Sequence, residues 1–393
     1  MPAPAASFRP AASRGACIYI AIAAVLLVFL WTTLRIHYVF GGNWTALFCT
    51  GAESSVPPEL ESDTYRFRGT GGYDGAMYRY LAHDPFLRKG YTRYMDGPQL
   101  RVRRILVPLA AWLLGFGQRA WIDGAYVAVE MIFLGLGVYW CAQLLESRGR
   151  SSVWGLLFVA VPGTLCSFDR MLLDGPLTAL FAGFLLYSEE QRWNRVWVIA
   201  MLAALTRETG LLLIAGLVMH QLLRRDWGRA AWFASTAGPA LAWYAYLATR
   251  LPTAPLQIFS VPAWGLFQRL FVFRSFPDPR VQWLVRVTDV LAVLGLVLSI
   301  VLAARWIQKR GCTPVTLSVG FFVALALVLG SPVHMIEAYG FGRPVSPLLL
   351  WVMIEAVSGS QWAALAPPLL VSLSVSVAFG RPLATVISGL LSR

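Results

Sequence analysis

The chain has 393 residues, 57% of them hydrophobic and only 13% charged, with a formal net charge of +13. A soluble domain carries about twice that charged fraction, so the composition excludes an ordinary water-soluble enzyme and points to an integral membrane protein. The positive charge does not indicate a nucleic-acid binder, because the basic residues lie in loops between apolar runs, where cytoplasmic loops concentrate Arg and Lys.

The apolar runs are about 15–25 residues long and show no strand alternation. That calls for an all-α polytopic protein, since helices satisfy their own backbone in lipid. Residues 1–15 read as a cytoplasmic tail and 16–393 as one transmembrane domain. Arg9 and Arg14 precede an apolar run over 16–36 that is too long for a typical signal-peptide core. It reads as an uncleaved first crossing with the N terminus inside.

The loop 37–104 comes next and is too long to be a mere connection. Within it, GYDGAMYRYLAH (72–83) predicts a short helix. Tyr73, Met77, Tyr80 and Leu81 share one face, which suits a helix lying at the membrane interface. Asp74 falls in its first turn, where the helix dipole favours a carboxylate. It reads either as a helix capper or as a reactive group. Asp63, Asp84 and Asp96 share the loop, and Asp84 before Pro85 reads as a turn residue or cap. Arg101, Arg103 and Arg104 lie where the loop returns to the membrane.

Segment 105–117 is short and holds Pro108, so it is expected to enter the membrane without crossing. The runs that follow bring the total to about eleven crossings plus this partial one. The arrangement places the loops 146–150, 188–195, 222–229 and 305–311 on the cytoplasmic side, as the positive-inside pattern requires. The loop 37–104, SFDRMLLDG (167–175), TRETG (206–210), the loop 250–282 and HMIEAYGFGR (334–343) then fall together on the opposite face. The run 196–223 is cut at Arg207–Glu208. Two short helices meeting there avoid an isolated charge pair at the bilayer centre, which costs several kcal/mol.

Cys17, Cys49, Cys141, Cys166 and Cys312 show no metal-ligand spacing and read as packing residues. A Cys49–Cys166 bridge is sterically conceivable, with nothing in the spacing to support it. His83, His220 and His334 show no ligand spacing either. Arg286 and Asp289, three apart on a helix, are expected to pair.

An outward-facing membrane enzyme lacks nucleotide-activated substrates, so its activated groups arrive on polyprenyl phosphate. Transfer of a sugar from such a donor needs one carboxylate to take the acceptor's proton. It also needs cations, or a metal such as Mg or Mn, to hold the departing phosphate. Asp74 is the expected base. Arg101, Arg104, Arg207 and Arg343, with Glu208, Tyr73 and Tyr78, are the expected substrate contacts, because Arg binds phosphate in bidentate fashion. Asp63, Asp84, Asp169, Asp174 and Glu337 are secondary candidates. Plainer readings exist for several: Arg101–Arg104 as an interfacial anchor, Arg207–Glu208 as a structural ion pair, and Glu337 with Arg343 as a solvated loop face.

Tyr73-Asp74-Gly75, Tyr78, Leu81-Ala82 and Asp84-Pro85-Phe86 together resemble the GT-C class of polytopic membrane glycosyltransferases. The likeness is nearer to bacterial members that build cell-surface glycopolymers and more distant to the GPI mannosyltransferases. Shorter echoes are RVRRILVP (101–108), FDRMLLDGPLTAL (168–180), TRETG (206–210) and FGRPVSPLL (341–349). The resemblance implies a GT-C-like fold, a polyprenyl-phosphate sugar donor, a glycan or glycolipid acceptor, and a catalytic acid in the first outer loop, here Asp74. It implies a bacterial inner (plasma) membrane location with the active site extracytoplasmic. The chain departs from the family where Gly75 and Ala76 replace the second acid of a DxD pair, which leaves metal use open. The rival classes are a transporter or flippase for polyprenyl-linked saccharides and a non-catalytic subunit of an envelope complex.

Overall fold

The computed structural model describes residues 14–252, 259–272, 278–330 and 338–392. Among the described residues it is nearly all helical, with 76% in helices and no strands. Among the described residues, four helical stretches are long and apolar enough to cross a membrane: Arg14–Phe40, Arg119–Ser147, Pro279–Arg310 and Trp362–Leu391. A fifth span results if Ser152–Phe158 and Pro162–Arg170, bent by 61°, are one broken crossing. Pro162, at the start of the second piece, removes the hydrogen bond that would continue the first.

The first helix exposes Ile18, Ile22, Leu26, Leu27 and Leu30. A continuous apolar face of this kind needs lipid around it. The interior holds the helices Asp174–Glu189 and Ser346–Ser358, whose apolar side chains are buried nearly all round, Trp351 completely. Asp174–Glu189 packs between Arg119–Ser147 and Trp193–Thr206. Pro279–Arg310 packs along Ala366–Ser376, where Gly295 sits so close to the Pro367 carbonyl that a β-carbon would lie 2.4 Å from it.

The molecule has two polar ends. The 29-residue helix Arg119–Ser147, about 43 Å long, connects them. At one end Arg119 pairs with Asp63 of the loop 37–104. At the other, Arg148 pairs with Glu189 and Glu355, Arg310 pairs with Glu355, and Arg150 donates to the Ser358 carbonyl at 2.8 Å. The loops expected to be cytoplasmic therefore meet at the end opposite the loop 37–104. Cys17, near the start of the first helix, donates to Glu146 at this same end (3.1 Å).

The interruption at Arg207 is present. Helix Trp193–Thr206 stops, Arg207 is extended, and a single turn leads into Leu211–Leu223. The helix Leu106–Leu114 spans only nine residues, about 14 Å, too little to cross a bilayer.

One expectation is corrected. The predicted helix over 72–83 forms at Asp74–His83, but all ten of its residues are buried. Tyr78 and Ala82 join the main core, while Met77, Tyr80 and Leu81 join a second small core with Leu60, Tyr91 and Val102. The loop thus has its own interior, and the helix is its centre rather than a surface float. Asp289 pairs with Arg269 and accepts a hydrogen bond from Ser374 (2.9 Å). No disulfide joins Cys49 to Cys166.

Candidate functional site

Asp74 opens its helix after Tyr73, which is extended and makes no side-chain cap. The carboxylate accepts no backbone N–H among the described residues. Its Oδ2 instead faces two guanidinium groups: Arg343 Nη2 at 3.0 Å and Arg101 Nη1 at 2.9 Å. Oδ1 takes part in neither contact. The capping reading of Asp74 therefore does not hold, although its place in the first turn still suits the dipole.

The sequence around Asp74 is dictated by a close approach. A β-carbon on Gly75 would lie 2.0 Å from the Arg170 carbonyl oxygen and 3.0 Å from that of Phe48. Only glycine lets the helix start sit against the 162–170 helix. That helix is held in turn where Gly163 N–H donates to Ser346 Oγ (2.7 Å), three residues after Arg343, and where Gly175 N–H donates to Ser167 Oγ (2.8 Å), beside Asp174.

The charges continue from Asp74 as a connected group. Arg343 Nη1 lies 3.7 Å from Asp174, and Asp174 forms a buried ion pair with Arg207. One helical turn beyond Asp74, the Tyr78 hydroxyl accepts from Arg104, and Arg104 Nε pairs with Glu208 at 3.1 Å. Four guanidinium groups thus meet three carboxylates, and Arg101 Nε also reaches the exposed Asp96 at 3.4 Å, so the charges of the group balance. Arg343 Nε and Nη1 and Arg207 Nε are buried N–H groups with no hydrogen-bond acceptor among the described residues. Buried donors are normally satisfied, so three vacant guanidinium N–H groups in one place suit an anion.

Burial alone would raise the pKa of Asp74. The guanidinium groups of Arg343, Arg101 and Arg104 outweigh it and hold the carboxyl well below the usual carboxylate range. At rest Asp74 is a charged, weakly basic group.

A second polar group adjoins the first through Tyr73. Arg170 lies 4.5 Å and Arg343 5.1 Å from the Tyr73 ring centroid. Arg170 also packs on Tyr339 at 4.7 Å. Asp169 joins this group, pairing with Arg35 (2.6 Å) and Arg170 (3.1 Å) and accepting from Tyr339 (2.9 Å).

Eight of the expected residues are thus contiguous: Asp74, Arg101, Arg343, Asp174, Arg207, Arg104, Glu208 and Tyr78, with Tyr73 and Asp169 alongside. Two others lie elsewhere. Asp63 sits exposed against Arg119. Asp84 accepts from the backbone N–H groups of Arg88 (2.7 Å) and Lys89 (2.9 Å), the turn role its place before Pro85 suggests. Glu337 lies outside the described residues.

Arg35, Arg170 and Tyr339 were not singled out from sequence. A lone Arg inside the first apolar run, at LRIHY, was the available signal. Asp123 was also missed. It sits at the start of the long helix and takes two guanidinium N–H groups of Arg79, at 2.9 and 2.8 Å, and His83 Nε2 at 3.0 Å, which pins the Asp74 helix to the membrane domain.

Among the described residues, no group of three or more His, Cys, Asp or Glu side chains converges as a metal set would. Asp74, Asp174 and Glu208 each face guanidinium groups, so this donor set suits an anion rather than a cation.

Compared with protein-family models, with curated proteins and with solved structures, the chain matches none.

Proposed function

We propose that the chain is a membrane glycosyltransferase of GT-C type that moves a sugar from a polyprenyl-phosphate donor to an extracytoplasmic acceptor. The observation that carries this reading is the meeting of Asp74 with Arg101 and Arg343 on one carboxylate oxygen, inside a group of four guanidinium groups with vacant buried N–H donors. The reading includes about eleven crossings, in which short apolar helices such as Leu211–Leu223 and Pro314–Val328 complete the spans. It places Asp74 on the face opposite the basic loops, and the membrane as a bacterial plasma membrane.

The chemistry follows from the electrostatics. A donor phosphate entering the arginine group offers Arg343, Arg101 and Arg207 a better partner than the Asp74 carboxylate, since two oxygens of a phosphate accept in parallel. As the arginines turn to it, Asp74 loses the charges that suppress its basicity. The acceptor hydroxyl then donates to Asp74. Its oxygen bonds to the anomeric carbon as the bond from that carbon to the phosphate oxygen breaks, the proton passes to the carboxylate, and the lipid phosphate leaves as an anion on the arginines. No general acid is required, because the leaving group is already a stable anion. Arg104 holds Tyr78 and Glu208 and so fixes the turn after Asp74.

A transporter reading needs ionisable groups lined up through the bilayer midplane. The connected charges here gather at one end instead, which favours the enzyme. The test is transfer by the purified protein in proteoliposomes supplied with defined polyprenyl-phosphate sugars. Asp74→Asn abolishes transfer at normal expression; transfer retained by that variant ends the assignment.

A further inference from the structure

A groove of about 750 Å³ lies on the other side of Tyr73 from the ion pairs of Asp74. The outer end of the first helix (Arg35, Phe40), the outer loop (Tyr65, Phe67, Tyr73), Asp169–Arg170 and the last helix (Arg381, Thr385) line it. Three guanidinium groups stand against one carboxylate. Asp169 engages Arg35 and Arg170, while Arg381 is exposed in the groove and forms no ion pair among the described residues. Arg381 belongs to a stretch apolar enough to cross a membrane, where an unpaired cation is costly without a counter-ion.

The two helices that form this wall are lipid-facing, the first below the groove and the last beside it. The first presents Leu26, Leu27 and Leu30, and the last presents Leu383 and Ile387. Phe40, Tyr65 and Phe67 pack edge-to-face, with centroids 5.0–5.5 Å apart, as an apolar floor. A cationic head position, an aromatic floor and apolar flanks fit an amphiphile with an anionic head.

We infer that this groove seats a second membrane-anchored substrate bearing a phosphate group, so that the acceptor, like the donor, is lipid-borne. The inference rests on the glycosyltransferase reading, in which the arginines around Asp74 already hold the donor phosphate. Arg381 binds the acceptor's phosphate, its chain lies along the first and last helices, and its head reaches toward Asp74 past Tyr73.

The experiment counts lipids bound to the purified full-length protein by native mass spectrometry, with undecaprenyl phosphate as probe and undecaprenol and inorganic phosphate as comparisons. Wild type binds two undecaprenyl phosphates, and undecaprenol binds about tenfold more weakly for want of the charge-assisted hydrogen bonds. Arg381→Gln loses one of the two, Thr385→Trp loses the same one by filling the groove, and Arg207→Gln loses the other. A single bound lipid, or two that are indifferent to both groove variants, overturns the inference. So does displacement of the groove lipid by inorganic phosphate alone, which would make the occupant a free anion. Asp74→Asn keeps both lipids. If Asp74→Asn transfers sugar while Arg381→Gln still drops one lipid, the enzyme reading falls and the groove stands.

Discussion

Arg343 reaches Asp74 across 269 positions of sequence, its Nη2 donating to Oδ2 at 3.0 Å. The contact joins the loop 37–104 to the entry of the buried helix Ser346–Ser358, so neither residue serves only its own segment. Arg343→Lys keeps the charge but offers a single point of contact where the guanidinium offers a fork. It is expected to lower transfer by about 10²-fold, the scale of removing one preorganised donor from a site of this kind. Asp74→Asn, which cannot take a proton, is expected to show none. Steady-state transfer in proteoliposomes measures both, and equal rates for wild type and Arg343→Lys would remove Arg343 from the phosphate site.

The resting ion pairs set a pH dependence whose sign is fixed. A base must be deprotonated, so activity is present above its pKa and lost as pH falls through it. In the free protein Asp74 is held below its ordinary value of 3.8. The acid limb of kcat/KM, which reports the free enzyme, therefore lies below about pH 4. The limb of kcat, which reports the donor-bound state, lies higher, because the arginines have turned to the phosphate. The same depression contributes stability that is complete above pH 3.8 and is lost as pH falls through the lower folded value. Rate profiles together with thermal unfolding down to pH 3 check both. Coincident acid limbs for kcat and kcat/KM would show that the arginines stay on Asp74 during turnover.

Gly75 separates packing from chemistry. A methyl group there must displace the Arg170 or Phe48 backbone, a clash that costs about 1–3 kcal/mol or more. Gly75→Ala is expected to lower the unfolding temperature in detergent and to weaken transfer together, because the shift moves Asp74 away from Arg343. An unchanged melting temperature would mean that the helix start is not seated against Arg170.

The sequence made the parts of this site legible but not their pairing. Charged residues at the edges of apolar runs are costly, and that cost marked Arg104, Arg207 and Arg343, while Asp74 was marked by its place in the short helix of the loop 37–104 and by the resemblance it carries. The break at Arg207 followed from the same argument. That Asp174 takes Arg207 while Glu208 takes Arg104 could not be read, because adjacency in sequence made Arg207–Glu208 the natural pair. Arg35 escaped notice inside the first apolar run for the opposite reason. Its partner Asp169 is 134 residues away, and a single cation in a long run reads as an interfacial residue. The burial of the Asp74 helix was missed because a one-sided apolar pattern does not show that the loop folds a second core over the other face.

Glu130 tests the transporter reading from inside the membrane domain. It lies in the middle of the helix Arg119–Ser147, 1% exposed, and neither carboxyl oxygen has a hydrogen-bond partner among the described residues. A buried polar group left unsatisfied costs about 1–3 kcal/mol. Replacing it with an apolar side chain of similar volume removes that cost, so Glu130→Met is expected to stabilise the protein by about 1–3 kcal/mol and to leave sugar transfer unchanged. Glu130→Gln keeps the polar burden and should match wild type in both respects. A transporter gives the opposite result, since an ionisable group at that depth is a relay or a binding group, and both substitutions would then stop turnover. Thermal unfolding read beside transfer separates the two readings. Loss of transfer in Glu130→Met at normal stability would move the centre of function from the arginines around Asp74 to the interior of the membrane domain.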